Sequence, residues 1–507
     1  MKRFVLLLGF LNGYFLLAQE ETLDTFLKIS QENLKKYSLA TLLKLDPIKE
    51  KIFLEDLSIR IKTNPYRYLF LNQFTQLSLS QAVILAEFNG ELLSLNGLIH
   101  IDESVAKTLI QFKGKVLYLD GLIQIDESVA KTLIQFKYKL SLGGLIHIDE
   151  SVLKILAQSQ NQLSLNGLQH LNITTAIELS QFKGNLLSLN GLQQIDEAVA
   201  QVLSQFQGDV LSLDGLQQLD ESIAKILAQS HKWLFLNGLQ HLNVSTAMEL
   251  SQFQGNLLSL NGLQQIDEAV AQVLSQFQGS MFFLNGLQHI DKATAKALAQ
   301  YRGGLLDLNG LQQIDEATAK ALAQFRGSFL YLNGLQQLDE ATAKALAQFS
   351  GTPFRCGNSG GATSARLYLN KLKQIDISVA TALSNFRGNL FLEGLQEIDL
   401  SVAIAFGQSQ AHGLYLNGLT QINEAIAKAL AQFKGKWFSL QGLQQIDEAT
   451  AKALAQWHGD ELSLNELQEM NESLFRDEAT AKAFAQFQRS ISTIKEIEEQ
   501  IEKYKKK

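Results

Sequence analysis

A chain of 507 residues that is 46% hydrophobic and holds only 3 prolines has the apolar material to fold along most of its length. Its 44 basic and 51 acidic residues give a net charge of −7, and no dense Lys/Arg stripe occurs before the last few residues. Nucleic acid is therefore not expected as a partner, because neutralising phosphates requires clustered cations.

In chain order, Lys2 and Arg3 precede an apolar stretch from Phe4 to Leu17, and Ala18 is suited to a cleavage point. Residues 1–18 thus read as a secretory signal, too short to span the roughly 30 Å of a bilayer core. No later segment reaches eighteen apolar residues, so no transmembrane segment is expected in the mature chain. The expected location is the periplasm, the cell surface or the extracellular space. In residues 19–67, Leu23, Phe26, Leu27, Leu34, Tyr37 and Leu42 suggest amphipathic helices, the polar-backed cap that a stack of repeats needs over its first member.

From Tyr68 the chain repeats. Each repeat holds a Leu-x-Leu, with its first Leu replaced only by Phe282 and Phe438, followed by an anchor residue, in order Asn72, Asn96, Asp120, Gly143, Asn166, Asn190, Asp214, Asn237, Asn261, Asn285, Asn309, Asn333, Asn370, Glu393, Asn417, Gln441 and Asn465. The seventeen anchors are 23 or 24 residues apart, with one gap of 37. Alternating leucines mark a short strand with one buried side. Gly follows the anchor in fourteen repeats, as in Asn261-Gly262, and is expected to turn the chain at positive φ. An Asp, Asn or Ser such as Asp267 then suits a helix N-cap. The residues after it, as in Ala317, Ala319, Leu322, Ala323 and Phe325, share one helical face, with Gly327 expected as the C-cap. One strand and one helix per 24 residues exclude helix-pair solenoids, which need longer repeats.

The pattern resembles the leucine-rich repeat family, in particular the subtype running Leu-x-Leu-x-x-Cys-x-x-Ile-Thr-Asp. In Leu258-Ser-Leu260-Asn-Gly-Leu263-Gln-Gln-Ile266-Asp-Glu, Leu263 takes the Cys place and Asp267-Glu268 the Thr-Asp place. The family's first Leu, five residues before Leu260, is replaced by Gly255 and its equivalents. The resemblance covers residues 68–488. It implies an α/β, right-handed solenoid of about seventeen repeats, with a parallel β-sheet on one face and helices on the other. Parallel strands joined by crossover helices wind right-handed.

The gap of 37 carries thirteen extra residues, Thr352 to Ser364, expected as a surface loop, with the single cysteine Cys356 inside it. One thiol excludes an internal disulfide framework, and the absence of Cys-rich caps leans towards a bacterial source. Ile494, Ile497, Ile501 and Tyr504 keep helical spacing in a C-terminal tail, residues 489–507. The stretch from Asn166 is nearly copied from Asn237 onward, an offset of 71, which indicates growth by duplication.

The search for chemistry finds little. His100, His147, His170, His241 and His289 share one repeat position with Gln, and two neighbouring His without a third ligand make a poor metal site. Asp102-Glu103 and its copies look like paired carboxylates, but helix capping explains both. Asn172-Ile-Thr and Asn243-Val-Ser match glycosylation acceptors at N-cap positions. No phosphate loop, metalloprotease helix or nucleophile elbow occurs. The expectation is a non-enzymatic chain without cofactor or metal.

The outward side of the strands is more informative. If the two leucines point inward, the residue between them and the one before them point outward. The preceding positions run Leu186, Val210, Trp233, Leu257, Met281, Leu305 and Phe329. The middle position is Ser in early repeats (Ser94, Ser141, Ser164, Ser188) and aromatic later: Phe235, Phe283, Tyr331, Tyr368, Phe391 and Tyr415. These residues are expected to form an exposed apolar band, and Trp233, Phe235, Met281, Phe283, Phe329, Tyr331, Tyr368, Phe391 and Tyr415 are the candidate partner-binding residues. Laddering of like side chains across strands is the competing explanation. Two functions fit: an exported scaffold for protein–protein interaction, or a structural protein of the cell envelope that binds carbohydrate or a surface layer. The partner is accordingly a protein or a surface glycan.

Overall fold

The computed structural model describes residues 67–230, 233–351, 364–464 and 469–470. The signal-like residues 1–18, the expected cap at 19–66, Cys356 with residues 352–363, and the tail 489–507 lie outside the described residues. The chain divides into two compact units. The first takes residues up to 217 together with 233–235; the second takes 218–230 and the residues from 236 onward.

In the first unit, eight three-residue strands, from Tyr68–Phe70 to Trp233–Phe235, form a parallel ladder in chain order. Six helices, from Leu79–Ala86 to Glu197–Leu203, belong to this unit. The second unit holds nine such strands, from Leu257–Ser259 to Glu461–Ser463, and ten helices, from Glu221–Ala228 to Glu448–Leu454. Its ladder is also parallel and in register. The helices carry two turns at most, so side-chain packing and not propensity stabilises them.

The strand leucines are the floor of the core. Leu258, Leu260, Leu306 and Leu330 are fully enclosed, as are Leu93, Leu117 and Leu187 in the first unit. Each such burial stabilises by about 1.5–3 kcal/mol. The helix contributes a face slightly different from the one expected: Thr318, Ala319, Ala321, Leu322 and Phe325 are buried, whereas Ala317 is only half-buried. The capping expectation holds for the sixteen described helices, all of which start after Ser, Asp or Asn. In fourteen of them the side chain accepts from the third helical N–H, as Asp267 does from Val270 at 2.8 Å. Asp149 and Asp220 occupy the same place without that bond.

Two glycine expectations are corrected. Among the described glycines only Gly351 has positive φ, so Gly262 does not turn the chain by left-handed geometry. It is needed because a Cβ there would stand 2.0 Å from the Asn237 carbonyl oxygen of the preceding repeat. Gly327 is not a helix cap either, since the helix ends at Leu322 with Ala323 as its C-cap. A Cβ at Gly327 would meet the Phe325 ring at 2.2 Å and the Gly303 carbonyl at 2.4 Å. The Phe-x-Gly spacing therefore lets a ring fold back over backbone. Phe253, Phe277, Tyr301, Phe325, Phe349 and Phe386 stack in sequence with centroids 5.9–6.2 Å apart in the second unit. This spine fills the space of the missing first Leu.

Anchor residues tie repeat to repeat. Asn261, Asn285, Asn309 and Asn333 each donate a backbone N–H to the Oδ1 of the preceding anchor, at 2.8–3.0 Å. Asn370 does the same to Asn333 at 2.9 Å, and Phe329 pairs with Arg366 in the ladder. The thirteen inserted residues thus leave the register unbroken.

Candidate functional site

The residue between the two leucines and the residue before them form two columns on the sheet face opposite the core. In the first unit five of the eight middle residues are Ser, and the other three are Phe70, Tyr118 and Phe235. Ser94, Ser141, Ser188 and Ser212 donate their hydroxyls to Asn72, Asp120, Asn166 and Asn190 at 2.6–2.8 Å. One cation stands on this face: the Lys139 ammonium lies 5.6 Å from the centroid of the Tyr118 ring. Burial pushes the Lys139 pKa down, opposed by the charge of Asp120.

In the second unit the middle column runs Ser259, Phe283 and Asp307, then four rings from Tyr331 to Tyr415, then Ser439 and Ser463. Tyr331, Tyr368, Phe391 and Tyr415 stack face to face with centroids 4.0, 4.1 and 4.1 Å apart and planes within 13°. In-register parallel pairing causes this, because it repeats one side-chain position at the strand spacing of about 4.8 Å. Burial raises the Tyr331 phenol well above its ordinary pKa, with Tyr368 adding to the effect, and burial raises Tyr415 as well. Asp307, next to the stack, is buried, and burial pushes its carboxyl up to about 7. It accepts from Asn285 Nδ2 at 3.1 Å and from the Asn309 N–H at 3.2 Å. Nothing in the repeat pattern flagged this carboxylate; its departure from the Ser-or-aromatic rule was the available signal.

The expectation of an open apolar band is corrected. Phe235, Met281 and Phe391 are buried, and Trp233, Phe283, Phe329, Tyr331, Tyr368 and Tyr415 are half-buried. Neighbours in the ladder cover one another, so a column of large residues exposes far less than its residue types suggest. The structure brings Tyr331, Tyr368, Phe391 and Tyr415 into one stack, with Phe329 beside the guanidinium of Arg366 at 5.1 Å. Trp233 and Phe235 belong to the first unit and the other seven to the second. Exposed apolar residues include instead helical pairs four apart, such as Ile173/Ile177 and Leu400/Ile404. Their missing first-turn acids and last-turn bases were visible in the sequence.

A second feature of the second unit is a polar groove of about 600 Å³ built by the repeated Asn-Gly-Leu-Gln, with Asn261, Asn285, Gln264, Gln288 and Gln312 in its walls. Its carboxamides donate and accept hydrogen bonds but cannot titrate. The five repeat-position histidines are exposed, and no group of three His, Cys, Asp or Glu able to hold a metal occurs among the described residues. Asn172 and Asn243 use their side chains as N-caps, accepting from Thr175 and Thr246 at 2.9 and 2.8 Å. Among the described residues no helix is long and apolar enough to cross a membrane.

No family model matches the chain, and no curated protein matches it. Solved structures do. A leucine-rich repeat protein of Leptospira interrogans matches with 16% identity and a TM-score of 0.35, over 82% of this chain and 98% of that one. An internalin of Listeria monocytogenes matches with 16% identity and a TM-score of 0.30, over 83% and 95%. TLR13, in complex with ssRNA13, matches with 16% identity and a TM-score of 0.33, over 80% of this chain and 60% of the receptor. The described repeats each begin with a short strand, and sixteen of them continue through a close turn into a helix, the α/β repeat architecture that the Leu-x-Leu-anchor motif predicts.

Proposed function

We propose that the chain is an exported, non-enzymatic scaffold that binds a protein partner through the sheet face of its second unit. The observation that carries this reading is the Tyr331–Tyr368–Phe391–Tyr415 stack. Rigid aromatic side chains, locked by their neighbours, lose little entropy on contact and concentrate binding energy. Against catalysis, the Asp-Glu pairs sit at helix starts, where capping and the helix dipole account for them. A carbohydrate partner is disfavoured on this face, because sugars stack on open ring faces and these rings cover each other's. The carboxamide groove is the place that favours the carbohydrate reading instead.

Replacing Phe283, Phe329 and Tyr331 together by Ser should abolish retention of partner proteins, each identified by mass spectrometry and retested in purified form. Ser at Lys320 and Lys344, exposed on helices, should change nothing. Unchanged binding by the triple variant, with its fold intact by circular dichroism, removes the sheet face from consideration. Retention of a neutral polysaccharide that depends on Gln264 and Gln288 would move the function to the groove. Export is tested by the mass of the mature chain, which should begin after Ala18.

A further inference from the structure

The preceding-position column of the second unit is apolar from Leu257 to Phe329, turns polar and small over the next three strands, and continues with Trp437 and Glu461. Leu257, Met281, Leu305 and Phe329 are followed by Arg366, Asn389 and Gly413 on successive paired strands. The Arg366 guanidinium lies over the Phe329 ring, and no carboxylate stands within ion-pair distance of it among the described residues. Asn389, its direct ladder neighbour, is only 2% exposed. Gly413 leaves room for the Asn389 carboxamide, since a Cβ there would stand 2.9 Å from Asn389 Oδ1. Two enclosed polar atoms at this spot lack a hydrogen-bond partner: Arg366 Nε, a donor, and Asn389 Oδ1, an acceptor. An apolar pair like Leu305 and Phe329 would leave no such orphans, and an enclosed polar atom without a partner is destabilising.

The neighbouring column narrows what this site suits. Tyr368 and Phe391 are covered on both faces by adjacent rings, so what remains of them for a partner is edge and phenolic hydroxyl. Ring edges carry the positive end of the aromatic quadrupole. An unpaired guanidinium, positive ring edges and hydroxyl donors all complement an anion. The planar fork of Arg matches a carboxylate in two-point contact, and a single cation compensates one negative charge better than the two of a phosphate.

Building on the sheet-face reading, we propose that Arg366 receives an Asp or Glu carboxylate from an acidic segment of the protein partner. Asn389 acts as its positioning residue. When the guanidinium turns off Phe329 to meet the acid, Nε donates to Asn389 Oδ1, and both orphan atoms are satisfied in the bound state. The chain's net charge of −7 works against indiscriminate acid binding, so selection for acids has to come from a local cation.

The test is a peptide array probed with the full chain, each acetylated peptide present with its Asp and Glu and again with Asn and Gln. Polygalacturonate serves as an anionic glycan. The wild type should retain the acidic members about tenfold better than their amide twins, and Arg366→Gln should erase that preference while Arg366→Lys keeps part of it. Thermal melts check that the variants fold. The Arg366 Nε–H resonance, assigned by its loss in Arg366→Gln, should shift with a retained acidic peptide in the wild type and not in Asn389→Leu. Equal retention of acids and amides, or acid preference that survives Arg366→Gln, overturns the proposal. So does Arg366-dependent capture of polygalacturonate with no peptide retained. If neutral peptides bind and are lost on Tyr368→Ser, the sheet-face reading stands and only the carboxylate assignment fails.

Discussion

The middle strand position does two different jobs, mostly Ser in the first unit and a run of four rings from Tyr331 to Tyr415 in the second, while the backbone around it stays the same. In the first unit Ser94, Ser141, Ser188 and Ser212 each add a hydroxyl donor to an anchor side chain that already accepts a backbone N–H. In the second, Tyr331, Tyr368, Phe391 and Tyr415 replace that hydrogen-bond ladder by a ladder of rings. Parallel register imposes a column at this position. Chemistry then decides whether the column closes on the scaffold, as the serines do, or keeps edges and hydroxyls for a partner. The repeat can tolerate both because the largest share of stability comes from the leucines on the opposite side of the strand.

That last statement gives the largest expected effect. Leu93→Asp in the polar region and Leu260→Asp in the second unit place an unpaired charge where exposure is nil, and each should cost about 3–5 kcal/mol. Denaturant melts should show similar losses; a mild effect at either leucine would break the claim of a common inner face.

Next is Asp307, which stands in the ring column with neither a hydroxyl nor a ring. Its folded carboxyl titrates near 7, above the ordinary 3.8, so between those values the folded chain binds the extra proton. Its contribution is thus fully present below about pH 4 and is lost as pH rises towards 7, a swing on the order of 4 kcal/mol. The difference in stability between wild type and Asp307→Asn should follow that direction across pH 4–8. A difference that is flat with pH would mean the carboxylate is solvated.

Third, Tyr368→Ala should destabilise by about 2–3 kcal/mol by opening the ring stack, against about 1 kcal/mol for Ser188→Ala, which removes one hydrogen bond. Equal losses in thermal melts would mean the rings are not mutually buried. Smallest is the cap: Asp267→Ala should cost about 1 kcal/mol and Asp149→Ala close to nothing, since only the former accepts a first-turn N–H.

Much of this architecture was legible from spacing alone. The strand leucines, the capping residues and the in-register repeat need only period and residue type, and Leu260, Asp267 and Asn261 behave as their positions predict. Glycine roles were less legible, because Gly262 and Gly327 are needed for close approach between repeats, a distance no single repeat displays. Exposure of the sheet face is not legible in one repeat for a related reason: burial of Phe391 or Met281 depends on the equivalent residue one repeat away. Arg366 and Asn389 are not legible in the repeat pattern, because a repeat average hides positions where single repeats depart from it.

The most direct measurement is site-specific photo-crosslinking in the native source, with benzoylphenylalanine at position 368 and, separately, at position 320. The account predicts adducts to one protein from position 368, competed away by the unmodified chain, and none from position 320 on the helix side. Adducts from position 320 with none from position 368 would contradict it.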